Sequence, residues 1–172
     1  MGSMRILGID PGTATVGFGC LDVLNARQLV VGQYGVIKTA PNQALALRLR
    51  ELYDDLQHLV TNLQPNVMAV EELFFFRNVN TAIPVAQARG VIILCAAQAG
   101  IPVAGYTPMQ VKLAVSGHGR ATKQEVQWAV QSVLGLEKLP RPDDAADALA
   151  IALAHWQHQA QSDCEPGRRE GA

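Results

Sequence analysis

The chain has 172 residues, 14 Lys and Arg against 15 Asp and Glu, a formal net charge of −1 and a hydrophobic fraction of 49%. A chain of this length buries roughly 70% of its unfolded surface, so the composition argues for one core and against intrinsic disorder. Near-neutral charge, taken alone, speaks against a protein that lives on phosphate backbones, which usually shows a basic balance.

Residues 1–3 before Met4 read as an expression scar, with the native start at Met4. Residues 5–10 form a short apolar run stopped by Pro11-Gly12, which suits a buried strand and a tight turn. Residues 16–23 and 28–38 are two further strand candidates, so the first three strands predict an antiparallel meander. Leu45, Leu49, Leu52, Leu56, Leu59 and Leu63 then recur at helical spacing, with charged residues between them, until Pro65. A fourth strand over 67–72, a long apolar helix over 80–100 and a fifth strand over 102–106 follow. Three helices complete the chain, over 108–115, 122–134 and 143–159.

Helices after strands four and five imply parallel crossovers, so the pattern predicts an α/β domain with a mixed five-stranded sheet flanked by helices. In this order it matches the ribonuclease H-like architecture. One domain is expected over residues 4–158, and the polar run 159–172 reads as a disordered tail. Cys20, Cys95 and Cys164 make neither a disulfide framework nor a zinc spacing, which suits a reducing cytoplasm. The apolar stretch 91–104 is interrupted by Gln98, Gly100 and Pro102 and does not read as a membrane span.

Four carboxylates stand out by position. Asp10 ends the first strand, and Gly8, on the same strand face, is expected to leave space beside it. Glu71 ends the fourth strand. Asp144 and Asp147 are three residues apart near the start of the last helix and share one helix face, where the helix N-terminus favours their anionic form. Helix capping explains Asp143 but not Asp147. If strands one and four are neighbours and the last helix crosses them, four like charges converge, and protons or cations must lie between them. Carboxylate-only ligation favours Mg²⁺ or Mn²⁺. Two such ions about 4 Å apart would activate a water and stabilise the leaving oxygen of a phosphodiester in an in-line displacement.

The segments Ile6-Leu7-Gly8-Ile9-Asp10-Pro11-Gly12, Ala69-Val70-Glu71-Glu72-Leu73-Phe74, Gln87-Ala88-Arg89-Gly90 and Asp144-Ala145-Ala146-Asp147-Ala148-Leu149-Ala150 together resemble the RuvC family of bacterial Holliday-junction resolvases. The resemblance runs from Met4 to about His158 with the motifs in order. It implies a ribonuclease H-like homodimer that cuts two opposing strands of a four-way DNA junction, in recombination and repair, with a branch-migration motor as partner. It also implies catalytic, metal-binding roles for Asp10, Glu71, Asp144 and Asp147, with two Mg²⁺ per site and Mn²⁺ as a substitute. Some members carry His at the Asp144 position, so this chain is of the all-carboxylate type.

The 52 residues from Leu73 to Gln124 hold Arg77, Arg89, Lys112, Arg120 and Lys123 and not one Asp or Glu. Such a window beside a metal site predicts a phosphate-binding track. Within it, Ser116-Gly117-His118-Gly119-Arg120-Ala121-Thr122-Lys123 reads as a Gly-flanked basic loop entering a helix whose N-terminus accepts phosphate, with Thr122 as the cap. By resemblance, Lys112 and Lys123 match lysines used in catalysis or DNA binding, and Phe74 matches an aromatic that contacts unstacked junction bases. Arg77 and Asn78 suit phosphate contacts, and His118 and Arg120 are further DNA-binding candidates. His155 and His158 read as solvated. The alternatives are another ribonuclease H-like nuclease (RNA–DNA hybrid or integrase type), an actin-like ATPase or sugar-kinase fragment, and a catalytically dead junction-binding module. The last would be expected to have lost a carboxylate.

Overall fold

A computed structural model describes residues 4–74 and 79–164. The chain runs β1 (Met4–Asp10), β2 (Thr15–Asn25), β3 (Gln28–Lys38), α1 (Leu45–Leu63), β4 (Val67–Glu71), α2 (Val79–Gln98), β5 (Val103–Tyr106), α3 (Pro108–Ser116), α4 (Lys123–Val133) and α5 (Asp143–Cys164). The sheet order is β3-β2-β1-β4-β5. β1, β2 and β3 pair antiparallel, whereas β4 lies parallel to β1, and β5 parallel to β4. This is the mixed sheet expected from the order of elements.

Alternation along the strands divides the core into two layers. Leu7, Ile9, Met68 and Val70 pack with Leu52, Leu56 and Val60 of α1 and with Ile92, Cys95 and Ala96 of α2. Ile6, Val67 and Ala69 face the other way, onto α5 and the helices α3 and α4 beside it. Leu45 does not join the α1 stripe: it opens the helix and remains 39% exposed.

Glycine decides how close α5 comes. A Cβ on Gly8 would stand 2.0 Å from the Ala148 carbonyl oxygen, and one on Gly17 would stand 2.0 Å from the Asp144 carbonyl oxygen. The space expected beside Asp10 is therefore filled by helix backbone. Gly8 admits α5 rather than leaving room for the carboxylate.

Two boundaries differ from expectation. α5 continues to Cys164, so residues 159–164 extend the helix instead of belonging to the tail. α2 begins at Val79 and is long and apolar enough over Asn80–Gln98 to cross a membrane by length and composition. Its Ala88, Ile92, Cys95 and Ala96 are nevertheless buried in the sheet-facing core, whereas Ile83 and Leu94 are more than half exposed.

Candidate active site

Register brings the first two acids together. Ile9 pairs with Val70 across the parallel β1–β4 ladder, so the next residues along, Asp10 and Glu71, finish adjacent strands on the α5 face. α5 supplies the rest. Its first turn opens over Pro142, whose carbonyl accepts from the Ala145 and Ala146 amides at 3.0 and 3.3 Å. Asp144 and Asp147 then project from one helix face over the end of β1. Asp10, Asp144 and Asp147 each present a carboxylate oxygen within 4.8 Å of the others. Glu71 stands outside that triple but lines the same cleft of about 200 Å³, with Asp10, Asp147, Pro108, Lys112 and Lys123.

The electrostatics mark a site built for a cation. Burial, then repulsion from Glu71, Asp147 and Asp144, pushes Asp10 up to about 8. Burial and Asp147 push Glu71 up to about 7, against the opposing pull of Lys112 and a hydrogen bond to Asp10. Burial raises Asp147 as well, although the Lys123 ammonium opposes it. Carboxylates gathered in a poorly hydrated cleft repel one another, and a hard divalent cation among them relieves both penalties. The all-oxygen donor set fits Mg²⁺ or Mn²⁺.

Two lysines flank the acids from α3 and α4. Lys112 lies on the cleft wall near Glu71. Lys123, first residue of α4, places Nζ 3.2 Å from Asp147 Oδ2 and 3.8 Å from Asp143 Oδ2. Asp143 also pairs with Arg141 and lies outside the triple of converging acids. The entry to α4 departs from expectation in one respect. Thr122 Oγ1 accepts from the Glu125 amide at 3.2 Å, and Glu125 Oε2 accepts from the Thr122 amide at 2.6 Å. This capping box occupies the Thr122 and Glu125 amides and already sets an acid on the helix end, which weakens the pull of that terminus on phosphate and leaves the Lys123 side chain as its main cation.

The remaining candidates separate by place. Phe74 is 58% exposed beside the cleft. His118 and Arg120 are exposed on the connection between α3 and α4 and do not line the cleft. Arg77 and Asn78, like Phe75 and Phe76, lie outside the described residues. Arg89, counted above among the phosphate-track cations, instead donates from Nε to the Glu71 carbonyl oxygen at 3.1 Å. It is a positioning residue for the end of β4. Its signal in the sequence was a lone cation in the apolar helix that follows β4. His155 is not solvated: only 5% exposed, it places Nδ1 2.8 Å from the Tyr106 hydroxyl, and burial holds its pKa low. His158 remains on the surface. A larger cavity of about 530 Å³ between α3 and α5 is lined by Tyr106, Gln110, Gln157 and His158 and holds none of the acids.

A β3-β2-β1-β4-β5 sheet with acids ending its two central parallel strands and more acids on the helix crossing them is the ribonuclease H-like nuclease arrangement. The family model described as crossover junction endodeoxyribonuclease RuvC matches residues 6–155. The chain belongs to this RuvC family. Its relative from Gloeobacter violaceus is 51% identical over 158 residues, 92% of this chain and 91% of that protein. The relative from Syntrophomonas wolfei is 54% identical over 152 residues, 88% of each. Thermus thermophilus RuvC in complex with a Holliday junction substrate superimposes with a TM-score of 0.87 at 39% identity, covering 92% of this chain and 96% of that one. The yeast mitochondrial Holliday junction resolvase Ydc2, at 15% identity and a TM-score of 0.65, shares the fold.

Proposed function

We propose that this chain is a metal-dependent endonuclease that resolves four-way DNA junctions, nicking two opposing strands symmetrically. The observation that carries the reading is the convergence of Asp10, Asp144 and Asp147, with Glu71 in the same cleft, between Lys112 and Lys123. Asp10, Glu71, Asp144 and Asp147 would hold two Mg²⁺ per site, with Mn²⁺ as a substitute. Bound there, the ions would supply positive charge to polarise the phosphodiester and acidify a water. The rest of the chemistry falls to the chain. Lys112 and Lys123 bind phosphate oxygens at the rim, Phe74 offers a face for an unstacked base, and Arg89 fixes the backbone that carries Glu71. The water oxygen joins phosphorus as the bond to the 3′ oxygen breaks, leaving a 5′-phosphate and a 3′-hydroxyl. Arg77, Asn78, His118 and Arg120 extend the phosphate track.

Two cuts need two sites, so the reading includes a homodimer. The exposed Ile83 and Leu94 face of α2 supports it, because that face is apolar on a helix whose opposite side is already buried. By family likeness it also includes a branch-migration motor as partner and a place in the cytoplasm, with residues 4–158 as one nuclease domain. The test is incubation with an end-labelled synthetic four-way junction, with and without Mg²⁺. Paired symmetric nicks that require the metal are expected. Equal cutting of plain duplex, or preference for an RNA–DNA hybrid, would move the assignment to another ribonuclease H-like nuclease.

A further inference from the structure

Beside the carboxylate cleft lies a second concavity of about 420 Å³, lined by Phe74, Thr107, Pro108, Met109, Lys112 and Gly119. Its volume falls in the range of about 300–1,000 Å³ typical of small-ligand sites. Pro108 and Lys112 belong to both hollows, so one turn of α3 forms the wall between them. Met109, on that same turn, is 69% exposed, and with Phe74 at 58% it forms one apolar patch around the hollow.

The turn is held firmly. Thr107 Oγ1 accepts from the Gln110 amide at 3.2 Å, and Gln110 Oε1 accepts from the Thr107 amide at 2.8 Å. These bonds engage the Thr107 hydroxyl oxygen, and among the described residues the rest of the lining is apolar with Lys112 at its edge. Gly119 closes the far side: a Cβ there would stand 3.0 Å from Met109 Cγ, so the loop backbone backs the thioether. An aromatic ring, a braced thioether and an ammonium shared with a phosphodiester cleft suit one occupant, a nucleobase whose own phosphate stays on the lysine. Thioether sulfur packs well against aromatic faces, and base stacking on such platforms tolerates any base.

We infer that Met109, lining one hollow with Phe74, grips an unstacked nucleobase next to the phosphate seated at the carboxylate cleft against Lys112, and so aligns the strand for cutting. The inference rests on the junction-nuclease reading above. Because the pocket shares a wall with the cleft, the base belongs to a nucleotide flanking the scissile phosphate. The effect is on alignment, so it falls on the cleavage step more than on affinity.

The test is a cycle between protein and DNA, measured as single-turnover cleavage of a four-way junction in Mg²⁺. Met109→Ala is expected to slow cutting roughly tenfold, the scale set by loss of one stacking contact. Met109→Leu, which keeps an apolar surface of similar size, is expected to recover most of the rate, and affinity for plain duplex is expected to stay within twofold. An abasic nucleotide on one flank of the scissile phosphate, each flank tried in turn, should slow the wild type to the same extent yet leave Met109→Ala no slower. Losses from Met109→Ala and from both abasic positions that simply multiply would overturn the pocket, as would an unchanged rate for Met109→Ala. Wild type that fails to cut any four-way junction would instead overturn the parent reading and the pocket with it.

Discussion

Asp10 is held by opposing demands: β1 buries it, and three other acids crowd it. Its folded value of about 8 lies well above the ordinary 3.8. Between those values the folded chain without a cation holds a proton that the unfolded chain has released, so stability falls as pH rises through this window. Asp10→Asn removes the conflict. In metal-free buffer at pH 8 it is expected to stabilise the fold by on the order of 2–4 kcal/mol, with little change at pH 4. Thermal melts with and without chelator check this, and added Mg²⁺ should raise the wild-type melting temperature more than that of the variant. The same variant is expected to lose cleavage while keeping junction affinity, measured by gel shift; equal loss of both would remove Asp10 from its catalytic role.

Lys123 presents a second conflict at this scale. Burial tends to lower its ammonium, but Asp147, Asp143 and Asp144 outweigh burial and hold it above the usual lysine value. With Nζ 3.2 Å from Asp147, the side chain competes with a divalent cation for that carboxylate. Lys123→Ala is therefore expected to bind Mn²⁺ several-fold more tightly by calorimetric titration and to bind junction DNA more weakly. Unaltered DNA binding and cleavage would take Lys123 out of the phosphate track.

Among the elements, α5 matters most to the site, and its seat is a matter of missing side chains. Gly8 and Gly17 face the Ala148 and Asp144 carbonyls, so the helix lies directly on β1 and β2 and carries Asp144 and Asp147 over Asp10. Backbone entropy alone would let Gly8→Ala stabilise a strand by about 0.4–1 kcal/mol. The 2.0 Å approach to backbone decides the opposite sign. Gly8→Ala is expected to cost roughly 3 kcal/mol in urea unfolding, the upper part of the overpacking range, and to weaken metal binding because α5 must lift. Gly8 is legible in the residues of β1, but the residues point to space beside Asp10, whereas the structure fills that space with α5 backbone. Strand alternation tells which face a residue takes, not which element will occupy that face. His155 departs from expectation for a related reason. A polar residue late in a helix reads as solvated until the Tyr106 hydroxyl at the end of β5 is placed 2.8 Å from its ring.

For the whole molecule, the net charge of −1 is a cancellation between an acidic cleft and a run of 52 residues without an acid. Two divalent ions in the cleft would turn each chain positive, which resolves the apparent misfit with a nucleic-acid partner. The exposed Ile83 and Leu94 on the outer face of α2 belong to the same scale, because the proposed dimer would bury them. Ile83→Asp with Leu94→Asp is expected to give a folded monomer by sedimentation velocity and circular dichroism. That monomer should nick junctions singly rather than in symmetric pairs. A doubly substituted chain that still sediments as a dimer would move the interface elsewhere.

The residues alone determined the order of elements, the antiparallel start of the sheet, the parallel crossovers and the identities of the four acids. Each of these follows from local spacing: alternation, helical periodicity, turn residues and charged groups at strand ends. Only the tertiary structure decided that Asp10, Asp144 and Asp147 come within 4.8 Å of one another while Glu71 joins the cluster through Asp10. It also decided that Arg89 braces the backbone of Glu71 and that a capping box occupies the Thr122 and Glu125 amides at the start of α4. Those facts depend on how closely a helix can approach a sheet and on which neighbour reaches a polar group first. Such distances are set between segments far apart in the chain, by the glycines that let backbone touch backbone and by the register of β1 against β4.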